Sequence, residues 1–321
     1  MVAVVLLASS CSGGGSDGDG GGGGRGGVGG EAALMPSGRA PADVVLTDQV
    51  GMQLADLLYD GLVAPGPSAG DDVVPALAES WTVDDTGTRW RFVLDPDRRF
   101  SDGSPVTAAD VAFTLERLAQ RGSTSPTGGR LEGLDGYGAF LDGSAPSISG
   151  VQVVDDATLD LITRVPYQPL PGLLASPAYG VVPKSAVERD PEAFLREPVT
   201  SGPWALAGRD GAVVRLDPAA GDDTGGGVEE IEVRTYGDAV EAYEAYRAGE
   251  VDWVQVPVRY LEEEAEDLGD RLVAAPFHAE FFMAFNLSDP VLAEPRLREA
   301  IVAAIDPPAI AEELITGGIP P

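Results

Sequence analysis

Apolar positions recur along the chain with two periods, and the switches between them mark out short strands and helices. Trp90, Phe92 and Leu94 alternate with Arg91 and Val93, a period of two that predicts a half-buried strand. Val151 to Val154 and Thr158 to Thr163 flank the turn Asp155-Asp156-Ala157 and predict a hairpin. Ala42 to Leu46, Ala212 to Leu216, Glu230 to Arg234 and Phe281 to Phe285 predict further strands. Helical spacing appears at Val50, Leu54, Leu57 and Leu58, with Gly61 as the expected stop. Thr107 with Asp110 predicts a capped helix carrying Val111, Leu115 and Leu118. Asp238 with Glu241 opens another, ending at Gly249. Leu261, Ala265 and Leu268 form a stripe, Pro295 starts a helix with Leu297, Ile301 and Ile305, and Asp306 caps a last one with Ile310 and Leu314. Strands and helices interleaved with hairpins predict a mixed α/β class.

The N-terminal end of the chain departs from this pattern. Met1 to Ser10 is an apolar run too short to span a bilayer, which needs about 20 residues. It fits the apolar region of a secretory signal. Cys11 follows at once, and Leu-Leu-Ala-Ser-Ser-Cys resembles a lipoprotein signal, in which the cysteine becomes the lipidated N-terminus. Thirteen of the eighteen residues from Gly13 to Gly30 are glycine. Such a stretch buries too little apolar surface to offset its ordering entropy and predicts a tether. The 28 or so residues between Cys11 and the start of the fold reach roughly 5–6 Å × √28, about 30 Å.

Composition narrows the chemistry. The 321 residues carry 21 basic and 52 acidic side chains, a net charge of −31. That field repels nucleic-acid phosphates and anionic lipid headgroups, so neither is expected as a partner. The one cysteine (Cys11) and one histidine (His278) allow no internal disulfide and no Cys/His zinc site. No phosphate-binding loop, dinucleotide fingerprint, HExxH or GxSxG occurs, and the acidic run Glu262-Glu263-Glu264 lacks calcium-loop spacing. No cofactor, metal or catalytic residue is expected.

An ordered set of segments carries a family resemblance. LLYDGLV (57–63), VVPALAESWTVDDTGTRWRFVL (73–94) and RRFSDGSPVTAADVAFTLERL (98–118) come first. DDATLDLITRVPYQPLPGLLASPAYGVVPKSAV (155–187), TSGPWAL (200–206), AYRAGEVDWV (245–254) and FFMAFNLSDPVLAEPRLREAIVAAIDPPAIAEELITGG (281–318) follow. Together they resemble the family 5 solute-binding proteins of ABC importers, which capture oligopeptides, dipeptides, nickel complexes and related solutes. Phe100-Ser101-Asp102-Gly103 is a tight turn on its own chemistry. Ala76, Leu77, Trp81, Trp90 and Phe92 are expected to form one small core, which makes them scaffold.

The resemblance implies an α/β, two-lobed, periplasmic-binding-protein-like (type II) fold that closes on its ligand, working as a monomer with membrane permease subunits. It implies a signal segment at 1–11, a tether at 12–40, a first lobe from 41–62 and 149–274, an inserted subdomain at 63–148, and a second lobe starting at 275 and breaking off at 321. The protein is expected outside the cytoplasm, held to the cell membrane by Cys11. For ligand contact the resemblance nominates Thr47, Asp48, Gln49 and Met52, then Ser176 and Tyr179, then Trp253 and Gln255, then Phe281 and Phe282. Phe281 and Phe282 fall on opposite faces of a strand, so at most one faces a cleft. Two alternatives stay open: a carboxylate enzyme such as a glycoside hydrolase, for which the sequence nominates no acid pair, and a surface binding or signalling module without an importer.

Overall fold

The computed structural model describes residues 2–7, 49–66, 73–121, 123, 127–210, 213–219, 228–273 and 284–306. The expected strands at 42–46 and 281–285 fall wholly or mostly outside these residues, as do Cys11, the tether, His278 and the helix after Asp306. The chain separates into two compact units, 1–255 and 256–321.

In chain order the first unit contains β1 (Val2–Leu7), α1 (Gln49–Leu58), β2 (Val63–Ala64), β3 (Val74–Pro75), β4 (Ala78–Val83), β5 (Arg89–Leu94) and α2 (Ala108–Ala119). It continues with α3 (Tyr137–Leu141), β6 (Val151–Asp155), β7 (Thr158–Ile162), α4 (Leu170–Leu174), α5 (Lys184–Arg189) and α6 (Pro191–Arg196). It ends with β8 (Trp204–Asp210), β9 (Val213–Pro218), β10 (Ile231–Tyr236) and α7 (Ala239–Arg247).

One four-stranded antiparallel sheet has the order β4-β5-β7-β6. The alternation in β5 is met: Trp90, Phe92 and Leu94 are buried while Arg89 and Arg91 are exposed. Trp81 on β4 lies opposite Phe92 and stacks on it, ring centroids 6.4 Å apart. Helix α2 covers this sheet with Val111, Leu115 and Leu118, which share one core with Phe92, Leu94, Leu159 and Leu161. Each such side chain contributes about 1.5–3 kcal/mol on burial. The start of α2 follows its sequence signal: the Asp110 carboxylate accepts the Thr107 N–H at 3.0 Å and its hydroxyl at 2.6 Å. The sheet runs past residue 148, because β7 pairs with β5 and β6 pairs with β7. The hairpin therefore belongs to the body formed by 78–94 and 108–119, across the boundary expected at 148/149.

The second sheet has the order β1-β10-β9-β8. β8, β9 and β10 are antiparallel neighbours, and β1 lies parallel along the other side of β10. Leu54, Leu58 and Tyr59 around the end of α1 pack with Val182, Phe194, Trp204, Leu216, Ile231 and Val233 in a second core. Helix α1 stops at Leu58, three residues before Gly61. Gly61 is there for a close approach instead: a Cβ on it would lie 3.0 Å from the Leu174 carbonyl oxygen. Asp238 caps α7 by accepting the N–H groups of Val240 and Glu241, and Gly249 ends the turn after it with φ +74°.

The second unit, taken by itself, contains α8 (Val258–Leu268) and α9 (Pro295–Ala304). No residue of α9 is buried; Leu297 and Ile301 are partly covered and Val302 is exposed.

Candidate functional site

The expected site residues come from four places in the chain. Thr47 and Asp48 lie outside the described residues, as do Phe281 and Phe282. Gln49 and Met52 lie in the first turn of α1, just ahead of the apolar residues that anchor that helix. Ser176 is the partly buried residue before the single turn Pro177–Tyr179. Its carbonyl accepts the Tyr179 N–H at 2.9 Å. Tyr179 is only 3 % exposed, and its hydroxyl donates to the Thr127 carbonyl at 3.1 Å. Burial pushes this phenol up to about 12. Tyr179 is thus a core residue, tied to Ser176 by the backbone bond of that turn.

Trp253 and Gln255 follow the Gly249 turn. Val251 is buried against Ala242 and Ala245 of α7, and Val254 packs on the same small cluster. These anchors leave Trp253 44 % exposed and Gln255 exposed beside it. A large aromatic side chain held on an anchored stretch yet open to water offers a stacking surface at low entropic cost.

A polar seam between the end of α1, Val181 and the start of β8 is tightly bonded. The Ser201 hydroxyl donates to the Val181 carbonyl at 2.7 Å and accepts the Asp60 N–H at 3.1 Å. Gly202 N–H donates to the Leu58 carbonyl at 2.9 Å, and the Thr200 hydroxyl to the Trp204 carbonyl at 2.9 Å. Arg98 pairs with Asp60 across the same seam. Thr200-Ser201-Gly202 is therefore a structural knot that ties the end of α1 to the start of β8.

The engaged carboxylates are structural as well. Asp160 receives Arg91 and Arg89, whose hydrogen bonds hold its carboxyl below the usual range. Glu232 is held down in the same way by Arg234 and Arg215. Burial raises the Asp56 and Glu116 carboxyls, and Glu116 already accepts the Ile148 N–H at 3.0 Å. Burial likewise lowers Arg117 to about 10 and raises Tyr59. Among the described residues no three His, Cys, Asp or Glu side chains cluster as metal ligands, and no helix is long and apolar enough to cross a membrane.

Sequence reasoning missed two hollows. One, of about 460 Å³, is lined by Arg196, Glu197, Leu206 and Arg209 among others. The other, of about 380 Å³, lies between Phe100, Thr107, Asp110 and Lys184. Neither includes an expected site residue. No periodic signal marks them, because each is assembled from a helix end and a separate loop or strand.

Comparison with known proteins bears on this arrangement. Residues 72–321 match the family described as bacterial extracellular solute-binding proteins, family 5 middle. A probable deoxycholate-binding periplasmic protein of Escherichia coli K12, YgiS, is 28 % identical over 266 residues, covering 80 % of this chain and 49 % of the relative. The periplasmic oligopeptide-binding protein OppA of the same organism is 26 % identical over 278 residues, covering 84 % and 49 %. The chain thus spans about half the length of these curated relatives. Among solved structures, the murein tripeptide binding protein MppA of Escherichia coli has TM-score 0.75 at 24 % identity, covering 89 % of this chain and 56 % of that one. OppA of Burkholderia pseudomallei gives TM-score 0.74 at 24 % identity with the same coverage. The likeness in fold is to the α/β periplasmic binding proteins.

Proposed function

The chain belongs to the bacterial extracellular solute-binding proteins of family 5, and from that premise we propose that it captures a peptide or similarly small solute outside the cytoplasm. It would deliver that solute to the membrane permease of an ABC importer. The observation that carries this reading is the family match over 72–321. The relatives named for oligopeptides and murein peptides favour a peptide, and the relative named for deoxycholate marks a different ligand class.

Trp253 and Gln255 are the contacts the geometry supports best, because both are exposed on an anchored stretch. Ser176 joins them, with Tyr179 acting through it. Thr47, Asp48, Gln49 and Met52, and one of Phe281 and Phe282, complete the proposed contacts. We assign the first lobe to 41–62 and 149–274 less the hairpin 151–162, which joins the body at 63–148 inserted into that lobe, with the second lobe starting near 275. Cys11 is the proposed anchor, holding the binding body off the membrane on the glycine-rich stretch.

Equilibrium dialysis against labelled tri- to pentapeptides and against deoxycholate tests the ligand class. Saturable peptide binding that weakens about tenfold in Trp253→Ala is expected. Binding of deoxycholate alone would overturn the peptide assignment, and turnover of any solute would overturn the reading as a binder. For the anchor, cells expressing the chain are labelled with a palmitate analogue. Label and membrane association are expected in the parent and lost in Cys11→Ala; retention of both in the variant would contradict the anchor.

A further inference from the structure

The stretch that carries Trp253 leaves α7 through a residue pinned on both sides of its backbone. Gly249 N–H donates to the Tyr246 carbonyl and Glu250 N–H to the Ala245 carbonyl, each at 2.9 Å. With Gly249 at φ +74°, this is the paired pattern of a Schellman cap. The other side of Glu250 is held from the sheet: its carbonyl accepts from Arg234 Nη1 at 3.3 Å. Val251 then packs against Ala242 and Ala245, and Trp253 follows two residues later.

Arg234 is itself aimed. Glu232, Arg234 and Tyr236 alternate onto one face of β10, while Ile231 and Val233 join the core with Leu54 and Trp204 on the other. Arg234 Nη2 and Nε donate to Glu232 Oε2 at 2.8 and 3.3 Å. Arg215, opposite Glu232 on β9, donates from Nε to Oε1 at 3.1 Å. The guanidinium is planar, so fixing Nε and Nη2 on the carboxylate also fixes the direction of Nη1. Tyr236, next on the same face, packs on the cluster of Ala242, Ala245 and Val251.

We propose that Arg234 is a positioning residue for the ligand site: clamped by Glu232, it holds the Glu250 carbonyl and so sets where Trp253 and Gln255 stand before ligand arrives. This rests on the reading of Trp253 and Gln255 as ligand contacts. A stretch ordered in advance has less freedom to lose on binding.

Fluorine NMR of the 321-residue chain labelled with 5-fluorotryptophan tests the positioning with no ligand present. The chain has four tryptophans, and Trp253→Phe identifies the line of Trp253. Arg234→Gln is expected to shift and narrow that line toward a solvated, freely turning indole, with the lines of Trp81, Trp90 and Trp204 unmoved. Arg215→Gln weakens the same carboxylate cluster but keeps the bond to Glu250. It should lower the urea midpoint and leave the Trp253 line in place. Arg234→Lys keeps a cation for Glu232 and guards against loss of the fold. The line should move there too, because one ammonium cannot bridge the carboxylate and the carbonyl as the fork does. A Trp253 line that stays put in either Arg234 variant, or moves equally in Arg215→Gln, overturns the proposal. Peptide affinity is the second readout: Arg234→Gln should weaken it about threefold or more in the parent and not at all in a Trp253→Ala background. Equal losses in both backgrounds overturn the proposal as well. Absence of peptide binding by the parent would instead count against the reading as a peptide binder, and the fluorine lines would still decide the role of Arg234.

Discussion

Ser101 and Thr200 hold each other by two reciprocal hydrogen bonds. The Ser101 N–H donates to the Thr200 carbonyl at 2.8 Å, and the Thr200 N–H donates to Ser101 Oγ at 2.9 Å. Thr200 is fully buried, so its N–H has no water to turn to. Ser101→Ala removes the acceptor and keeps the backbone bond. The expected cost is about 1–3 kcal/mol, the desolvation of one buried donor. Urea unfolding checks it: a lowered midpoint at unchanged slope is predicted.

Gly202 sits where backbone meets backbone. A Cβ there would lie 2.8 Å from the Leu58 carbonyl carbon and 2.8 Å from the Tyr59 nitrogen, atoms that cannot swing aside. Gly202→Ala is expected to destabilise the chain by about 1–3 kcal/mol, in the range of overpacked cores. Thermal unfolding should show a lower Tm, whereas Gly103→Ala, with open space around its Cβ, carries only the strain of its φ of +82°.

Asp160 links stability to pH. Its carboxyl is held below its ordinary value of 3.8 by hydrogen bonds from Arg91 and Arg89. A depressed folded-state pKa stabilises the fold while the group is ionised, and that gain fades as pH falls through 3.8 toward the folded value. Both arginines are nearly half exposed, so solvent screens the pair. Asp160→Asn should cost about 1–2 kcal/mol at neutral pH. The gap between parent and variant should narrow below about pH 4, as measured by denaturant unfolding across pH. A gap that widens on acidification would contradict the assignment.

The fold was legible where a pattern is local. The period of two in β5, the Thr107–Asp110 cap of α2, the Asp238 cap of α7 and the hairpin at 151–163 each announce themselves within a few residues. Trp81 was readable as scaffold because its neighbours in sequence become its neighbours in the sheet. The extent of the sheet was not readable, since pairing of β7 with β5 joins residues about seventy apart. Gly61 misled for a related reason: a glycine required by a contact with Leu174 looks the same in sequence as a glycine that ends a helix. For the site, the sequence pointed to the exposed Trp253 and Gln255 but could not tell that Tyr179 turns inward to the Thr127 carbonyl. That depends on a partner 52 residues away.

Peptide binding by the chain in two contexts tests the central claim most directly. Titrate a tri- to pentapeptide panel by calorimetry against chain 1–321 and against the same residues continued by the remaining half of a murein peptide-binding relative. In a two-lobed trap the ligand is buried from both sides, and each 1.4 kcal/mol of lost contact is about tenfold in affinity. Saturable one-to-one binding in the longer protein is predicted, with at least tenfold weaker binding by 1–321 and a further loss on Trp253→Ala. Binding of no peptide by either protein, or equal affinity in both with no effect of Trp253→Ala, would contradict the account.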